Sequence, residues 1–291
     1  NLMKSKNKFK NFDLHLHTKA SDGTDSVEKT IKIARERGLD CVAITDHDVL
    51  HKELGFRSKE IKGLEVINAC EIKAEIGGIK IEILGYFLDT SDPQLQELIE
   101  RIEENRNQRM KKMAEKVNSA VESDITMEDV KKVSSGSLAR PNLARVLVNK
   151  KVVSSVSEAF QKYIRKGGPC YVAQEKLKAG EVIQTVHENG GVTSLSHPGR
   201  NLPKERAEKL VSELKEFGLD ALEVEYPYKL ISEANSEEMN FGREKSGELA
   251  KKFDLLKTGG SDSHGTKSDK DFIGEIKIPY SRVKSLKELR T

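Results

Sequence analysis

The chemistry of this chain is concentrated first in residues 12–26, FDLHLHTKASDGTDS, where His15 and His17 alternate with Leu14 and Leu16 and Asp22 follows. In a β-strand, alternate side chains share a face, so the two imidazoles point one way and the leucines the other. Two imidazoles about 7 Å apart along one strand face, at about 3.3 Å per residue, can converge on one metal ion. A strand whose polar face happens to carry two histidines would read the same in isolation. The weight therefore falls on what the rest of the chain adds.

Only seven histidines occur, and five of them, His15, His17, His47, His197 and His264, fall at or just beyond the C-terminal ends of predicted strands. The other two, His51 and His187, do not. Asp22, Asp46, Asp48, Glu71 and Asp262 lie at the same level. Imidazole and carboxylate without thiolate suits two or three Zn²⁺, Mn²⁺ or Fe²⁺ ions. Any one of these histidines is more often structural, but five gathered with carboxylates on one face point to a metal centre.

The elements that must position them alternate. Ser26 is a good N-cap for a helix carrying Val27, Ile31 and Ala34 and ending at Gly38. A short apolar strand over 41–45 leads to Asp46-His47-Asp48, a polar helix is predicted over 51–62, and a strand from 65 ends at Glu71. Gly77-Gly78 reads as a hairpin turn. Strand C-terminal ends are where α/β barrels and open α/β sheets place their sites. From 93 to 166 the pattern is helical throughout, with Thr126 and Asp129 as a capping-box start and Pro141 suited to a first helical turn.

Alternation resumes near Ala179. A strand over 191–195 ends in Ser196-His197-Pro198-Gly199-Arg200, and helices are predicted over 203–217 and 232–252. A strand from 221 is Ala-Leu-Glu-Val-Glu, the stretch from 255 ends in Asp262-Ser263-His264, and a last strand is expected over 274–278. The expected organisation is an α/β domain from 1–92 and 178–291, barrel or open sheet, interrupted by 93–177 as an all-helical insertion.

At 291 residues with 50 basic and 47 acidic side chains, the net charge of +3 implies no global field for polyanions. Between 100 and 166, however, 15 basic residues face 9 acidic ones, a local +6. The three cysteines, Cys41, Cys70 and Cys170, are too far apart for a metal-binding pair and read as buried thiols of a reducing compartment. No apolar leader and no 18-residue apolar run occurs, so the expectation is a cytoplasmic protein with no membrane contact. No obligate protein partner is evident.

HLHTKASDG, AITDH, NACE, SHPGR and GGSDSHG, in that order, resemble the signature of the polymerase-and-histidinol-phosphatase (PHP) family. The resemblance covers nearly the whole chain and implies an α/β fold, a distorted (β/α)7 barrel, with the all-helical insertion. The insertion motifs RNQR, ITMEDV, ARPNLARVLV and SEAFQKYI resemble the subgroup of 3′,5′-nucleotide bisphosphate phosphatases and 5′-to-3′ exoribonucleases. The activity implied by the resemblance is that of a metal-dependent phosphoesterase, hydrolysing phosphate esters of nucleotides or short RNA 5′ ends through a metal-activated water. Competing expectations are a histidinol-phosphatase-like small-molecule phosphatase, another metal-dependent hydrolase, or a non-catalytic nucleic-acid-binding relative.

By position, the family pattern assigns His15, His17, Glu71 and Asp262 to one ion. Glu71 bridges to a second ion that also takes His197, and Asp22, His47 and His264 hold a third. Glu71, His197 and His264 are the catalytic candidates. Two departures stand out. The family usually has histidine where this chain has Glu82, which can still ligate but as an anion, and histidine where it has Asn142, which keeps only hydrogen bonding. Arg106, Arg109, Arg140, Asn142 and Arg200 are the candidate substrate-binding residues. Arg106 and Arg109 continue an otherwise apolar helical seam, Arg140 and Asn142 lie in the RPN motif, and Arg200 follows His197-Pro198.

Overall fold

The computed structural model describes residues 11–134, 138–235, 239–276 and 278–290. The chain divides into two compact units, Asn1–Leu98 with Leu177–Thr291, and Ile99–Lys176.

The first unit is a mixed sheet flanked by helices. Its main path runs β1 (Phe12–Leu16), β2 (Cys41–Ile44), β4 (Leu64–Ile76), β5 (Ile79–Tyr86), β7 (Val192–Leu195), β8 (Ala221–Glu225) and β9 (Leu256–Gly259), with β3 (Ser58–Ile61) and β6 (Leu177–Lys178) paired to β4 off that path. β1, β2 and β4 run parallel, as do β7, β8 and β9, while β5 is antiparallel to both of its neighbours. One further bridge joins Leu16 to Ser263, and the His17 N–H donates to the Ser263 carbonyl at 2.9 Å. Phe12, Leu14, Cys41, Ala43, Ile67, Leu84, Tyr86 and Val192 form one buried cluster of the sheet. The helix α1 (Val27–Glu36) starts at Ser26, whose side chain accepts from the Lys29 N–H.

Four predicted elements are corrected. The helix expected over 51–62 is instead a 3-10 turn (Lys52–Leu54) followed by β3, because Lys62 and Gly63 both take positive φ, 52° and 81°. They close a two-residue hairpin that pairs Ile61 with Leu64. The helix expected over 232–252 is α9 (Tyr228–Asn235) and α10 (Arg243–Lys252), broken at an extended Gly242. The Asn240 and Phe241 N–H groups donate to the Gly199 carbonyl, which fastens these two residues, just before α10, beside His197-Pro198. No strand forms among the described residues of 274–278. Gly274 turns at φ 78° and donates to Asp13 Oδ2 at 3.0 Å. The strand expected to end at Glu71 runs on to Ile76, so Glu71 sits mid-strand in β4.

The second unit is helical: most of α2 (Pro93–Val121), then α3 (Met127–Lys132), α4 (Arg140–Asn149) and α5 (Val156–Ala159), which passes into a π turn at Phe160–Ile164. Met110, Met113, Val117, Leu143, Leu147 and Ile164 are among its buried core. Thr126 and Asp129 form the reciprocal capping box, and Pro141 lies in the first turn of α4. The remaining helices are α6 (Ala179–Glu188), α7 (Pro198–Asn201), α8 (Ala207–Glu216) and α11 (Tyr280–Glu288), all in the first unit. No described helix is long and apolar enough to cross a membrane. Cys41, Cys70 and Cys170 are buried and form no disulfide.

Candidate metal centre

β1 delivers His15 and His17 to one face, with Leu14 and Leu16 fully buried on the other. β2 ends two residues before Asp46-His47, and an isolated parallel bridge joins His47 to Glu71 of β4. Glu82 lies on β5 opposite Lys73, diagonal to Glu71, whose own cross-strand partner is Leu84. β7 leads to His197 and β9 to Asp262 and His264. His197 and Asp262 both sit in the left-handed region, at φ 24° and 51°, the kind of backbone strain that persists only where surroundings enforce it. The glycine pair of GGSDSHG is required by close approach. A Cβ on Gly260 would lie 2.4 Å from His15 Cβ, and one on Gly259 2.3 Å from the Glu225 carbonyl oxygen.

Three donor atoms, His15 Nε2, His17 Nε2 and Glu71 Oε2, converge at the base of this face, and Asp262 Oδ1 lies beside both imidazoles. His15 Nε2 lies 3.0 Å from His17 Nε2, 3.4 Å from Glu71 Oε2 and 3.4 Å from Asp262 Oδ1. His17 Nε2 lies 3.3 Å from Glu71 Oε2 and 3.2 Å from Asp262 Oδ1. Ligands held tetrahedrally at about 2.1 Å from an ion lie about 3.4 Å from one another, so the mutual spacing of His15, His17 and Glu71 fits a divalent cation with nitrogen and oxygen ligands. Unpartnered atoms fit it too. Glu71 Oε2, His17 Nδ1 and His47 Nδ1 are buried without a hydrogen bond, a state that apolar surroundings penalise by about 1–3 kcal/mol each.

Two looser groups adjoin the first. His47, Glu71 and Glu82 present converging atoms, with His47 Nδ1 3.0 Å from Glu71 Oε2 and 3.8 Å from Glu82 Oε1. His197 Nε2 faces the same carboxylates, 3.2 Å from Glu71 Oε1 and 3.6 Å from Glu82 Oε2. In the third group Asp22 lies 3.6 Å from His17 Nδ1, 3.6 Å from His47 Nε2 and 3.5 Å from His264 Nε2. The pattern carried over by resemblance gave His17 to one ion and His47 to another. In the structure each turns one ring nitrogen to each of two groups, because each ring lies between two carboxylates. His264 Nδ1 bonds the Asp262 carbonyl at 2.8 Å; since a carbonyl only accepts, Nδ1 carries the proton and Nε2 keeps its lone pair for a ligand.

Charge at this centre is polarised in the metal-free protein. Burial opposes the His17 imidazolium, but Asp262 and Glu71 outweigh it and raise its pKa from 6.5 to about 10. His15 is also raised well above its usual range, burial being outweighed by Glu223, Glu71 and Asp262. Burial would raise Glu71, Asp262 and Asp22, yet the surrounding imidazoles hold all three below the usual carboxylate range.

Several residues outside the predicted set complete the arrangement. Ser196 Oγ donates to Glu71 Oε1 at 2.5 Å. Asp262 is divided, with Oδ1 facing His15 and His17 while Oδ2 accepts from Tyr226 Oη at 2.8 Å and Lys270 Nζ at 3.0 Å. Nothing in the sequence singles out Lys270, which a loop brings back eight residues after Asp262. Asp46, fully buried, accepts from the Thr18 N–H and hydroxyl, the Ser21 hydroxyl and His51, and so fixes the loop that carries His47. His51 thus belongs to the support of the centre although its place in the sequence excluded it.

Of the candidate substrate residues, only Arg200 lies in the unit that holds the ligands, with Nη1 3.7 Å from Asp262 Oδ2. Arg106 is buried in α2. Arg109 Nε donates to the Val172 carbonyl at 2.8 Å, and the guanidinium groups of Arg109 and Arg140 each lie 5.6 Å from the Tyr171 ring centre. Asn142 is occupied otherwise: its Oδ1 accepts from the Ala139 N–H at 2.8 Å and its amide donates to the Val133 carbonyl, so the side chain serves the start of α4.

Buried imidazoles and carboxylates converging at the strand ends of a mixed α/β sheet define a metal-dependent hydrolase. The PHP domain model matches residues 13–224, and the chain belongs to that family and is by class a metal-dependent phosphoesterase. It is 31% identical to the 5′-3′ exoribonuclease Rnm of Escherichia coli, over 87% of this chain and 85% of the relative. The 3′,5′-nucleoside bisphosphate phosphatase of Chromobacterium violaceum is 26% identical over 74% of this chain and 76% of its own length. A crystal structure from Bifidobacterium adolescentis, provisionally named a metal-dependent phosphoesterase, superposes with a TM-score of 0.70 at 27% identity, covering 97% of both chains.

Proposed function

We propose that this chain hydrolyses phosphate esters of nucleotides or of short RNA 5′ ends. The observation that carries the reading is the close mutual spacing of His15, His17 and Glu71, with Asp262 beside both imidazoles and Glu71 Oε2 buried and unpartnered. The named activities of the Escherichia coli and Chromobacterium violaceum relatives and the local +6 between 100 and 166 support the substrate class. In this reading the main strand path closes as a distorted seven-stranded barrel through the Leu16–Ser263 bridge.

His15, His17, Glu71 and Asp262 would hold one ion; Glu71, Glu82, His47 and His197 a second; and Asp22, His47 and His264 a third. Bound divalent ions supply a nucleophile at neutral pH by acidifying water and offset the phosphate charge. The protein does the rest. Ser196 and the Asp262 partners fix which oxygens face inward, Arg200 and Lys270 add positive charge beside Asp262, and His264 Nε2 is held toward the same face.

The test is turnover by the purified, Mn²⁺-loaded protein of three substrates: a 3′,5′-bisphosphorylated nucleoside, a short 5′-phosphorylated RNA, and histidinol phosphate. Release of phosphate or nucleotide from either of the first two is expected. Preference for histidinol phosphate would move the assignment to a small-molecule phosphatase, and no turnover of any ester with metal bound would overturn it.

A further inference from the structure

Glu223 is a fully buried carboxylate on β8 with no part in the ligand groups already described. Its two oxygens serve different ligands. Oε1 lies 2.9 Å from His15 Nδ1, and Oε2 accepts the His197 backbone N–H at 2.8 Å. His15 belongs to the tight group and His197 to the group around Glu71 and Glu82. One side chain therefore grips the ring of one candidate ligand and the left-handed backbone of another, whose φ of 24° needs an external restraint. The strand is shaped for this: the β8–β9 register shifts between Glu223 and Glu225.

We infer that Glu223 is a positioning residue that sets two ion sites at once. Its role rests on the proposed metal centre and on the donors that face it. For His15 Nε2 to face an ion with its lone pair, Nδ1 must carry the proton and donate it. A backbone N–H can only donate. Both partners of Glu223 are then donors, and a carboxylate satisfies them with two acceptor oxygens. A glutamine offers one acceptor oxygen and an amide that donates, so either His15 or His197 must lose its restraint. The Asp22 and His264 group has no contact with Glu223 among those described, and should not respond.

The experiment compares wild type with Glu223→Gln and Glu223→Asp, each stripped of metal and titrated with Mn²⁺ while free Mn²⁺ is followed by electron paramagnetic resonance. Glu223→Gln is expected to weaken at least one of the ions on His15 and His197 by about 10–100-fold and leave the third unchanged. Glu223→Asp keeps both acceptors with a shorter reach and should fall between. In an His15→Ala background, where the glutamine oxygen has only the His197 N–H to accept, Glu223→Gln should leave the His197-bound ion unchanged. Affinities equal to wild type in a folded variant, or equal weakening of all three ions, would overturn the inference. A measurement needing no variant accompanies these: the Zn²⁺-loaded wild type should show an exchange-protected His15 Nδ1–H proton, and its absence also overturns the inference. Failure of the wild type to bind any divalent ion would instead sink the metal centre itself.

Discussion

The His15, His17, Glu71 and Asp262 group and the Asp22, His47 and His264 group use the same ligand chemistry, yet they are built differently. In the first, the separations of the His15 and His17 nitrogens from each other and from the two carboxylates are 3.0–3.4 Å, and the side chains are at most 3% exposed. In the second the separations are 3.5–3.6 Å, and the Asp22 side chain is 53% exposed on the loop after β1. Three of the four tight ligands, His15, Glu71 and Asp262, have outside partners: Glu223, Ser196, Tyr226 and Lys270. Preorganisation of this kind favours slow exchange, whereas an exposed loop carboxylate suits an ion that enters and leaves. Strand registration and buried partners, more than ligand type, therefore decide how firmly each site holds.

Glu71→Gln tests that contrast most severely, because it touches both inner groups. A fall in kcat of at least about 10²–10³-fold is expected, on the scale of losing one preorganised charge-stabilising group. Turnover on 5′-phosphorylated RNA at saturating Mn²⁺ measures it, and a fall below tenfold would detach Glu71 from the chemistry. Asp22→Asn should be milder. It should weaken one ion by about 10–100-fold, the scale for disturbing a ligand set, with activity restored by raising Mn²⁺. Inactivity that excess metal cannot restore would erase the difference between the two groups.

Protonation separates metal-free from loaded protein. His17 is raised from 6.5 to about 10 without metal, burial being outweighed by Asp262 and Glu71. Its contribution to stability is therefore fully present below pH 6.5 and is lost as pH rises through about 10. As an ion ligand the imidazole is neutral throughout, so binding expels its proton and tightens as pH rises across that window. The gain in Tm on adding Mn²⁺ should accordingly widen between about pH 6.5 and 8.5, with proton release seen by calorimetry in buffers of different ionisation enthalpy. A constant gain and no proton release would contradict the charged His17. The smallest effect belongs to Asn142→Ala. It should cost about 0.5–2 kcal/mol of stability through the start of α4, with Mn²⁺ affinity unmoved. A loss of substrate affinity without loss of stability would instead return Asn142 to the substrate site.

Much of the site is legible in one dimension. His15 and His17 lie two apart, as do Asp262 and His264, and each pair arises directly from strand alternation or its continuation past a strand end. The α3 capping box and the Gly77-Gly78 hairpin read equally well, because caps and turns are decided within four residues. The failures have a common origin. The segment over 51–62 is polar enough for a surface helix, but the Lys62-Gly63 turn and pairing with β4 make it an edge strand. Glu71 reads as a strand end, but a partner in β5 extends the strand past it.

Ligand types and the resemblance to one family are properties of the sequence, since they depend on residue identity and short spacing. The sharing of His17 and His47 between two groups, the divided Asp262, and the reach of Glu223 to both His15 and His197 arise only in the folded chain. Each depends on distances between residues tens to hundreds of positions apart. Such distances are fixed by how the buried sheet and its connecting loops pack, and no local pattern encodes them.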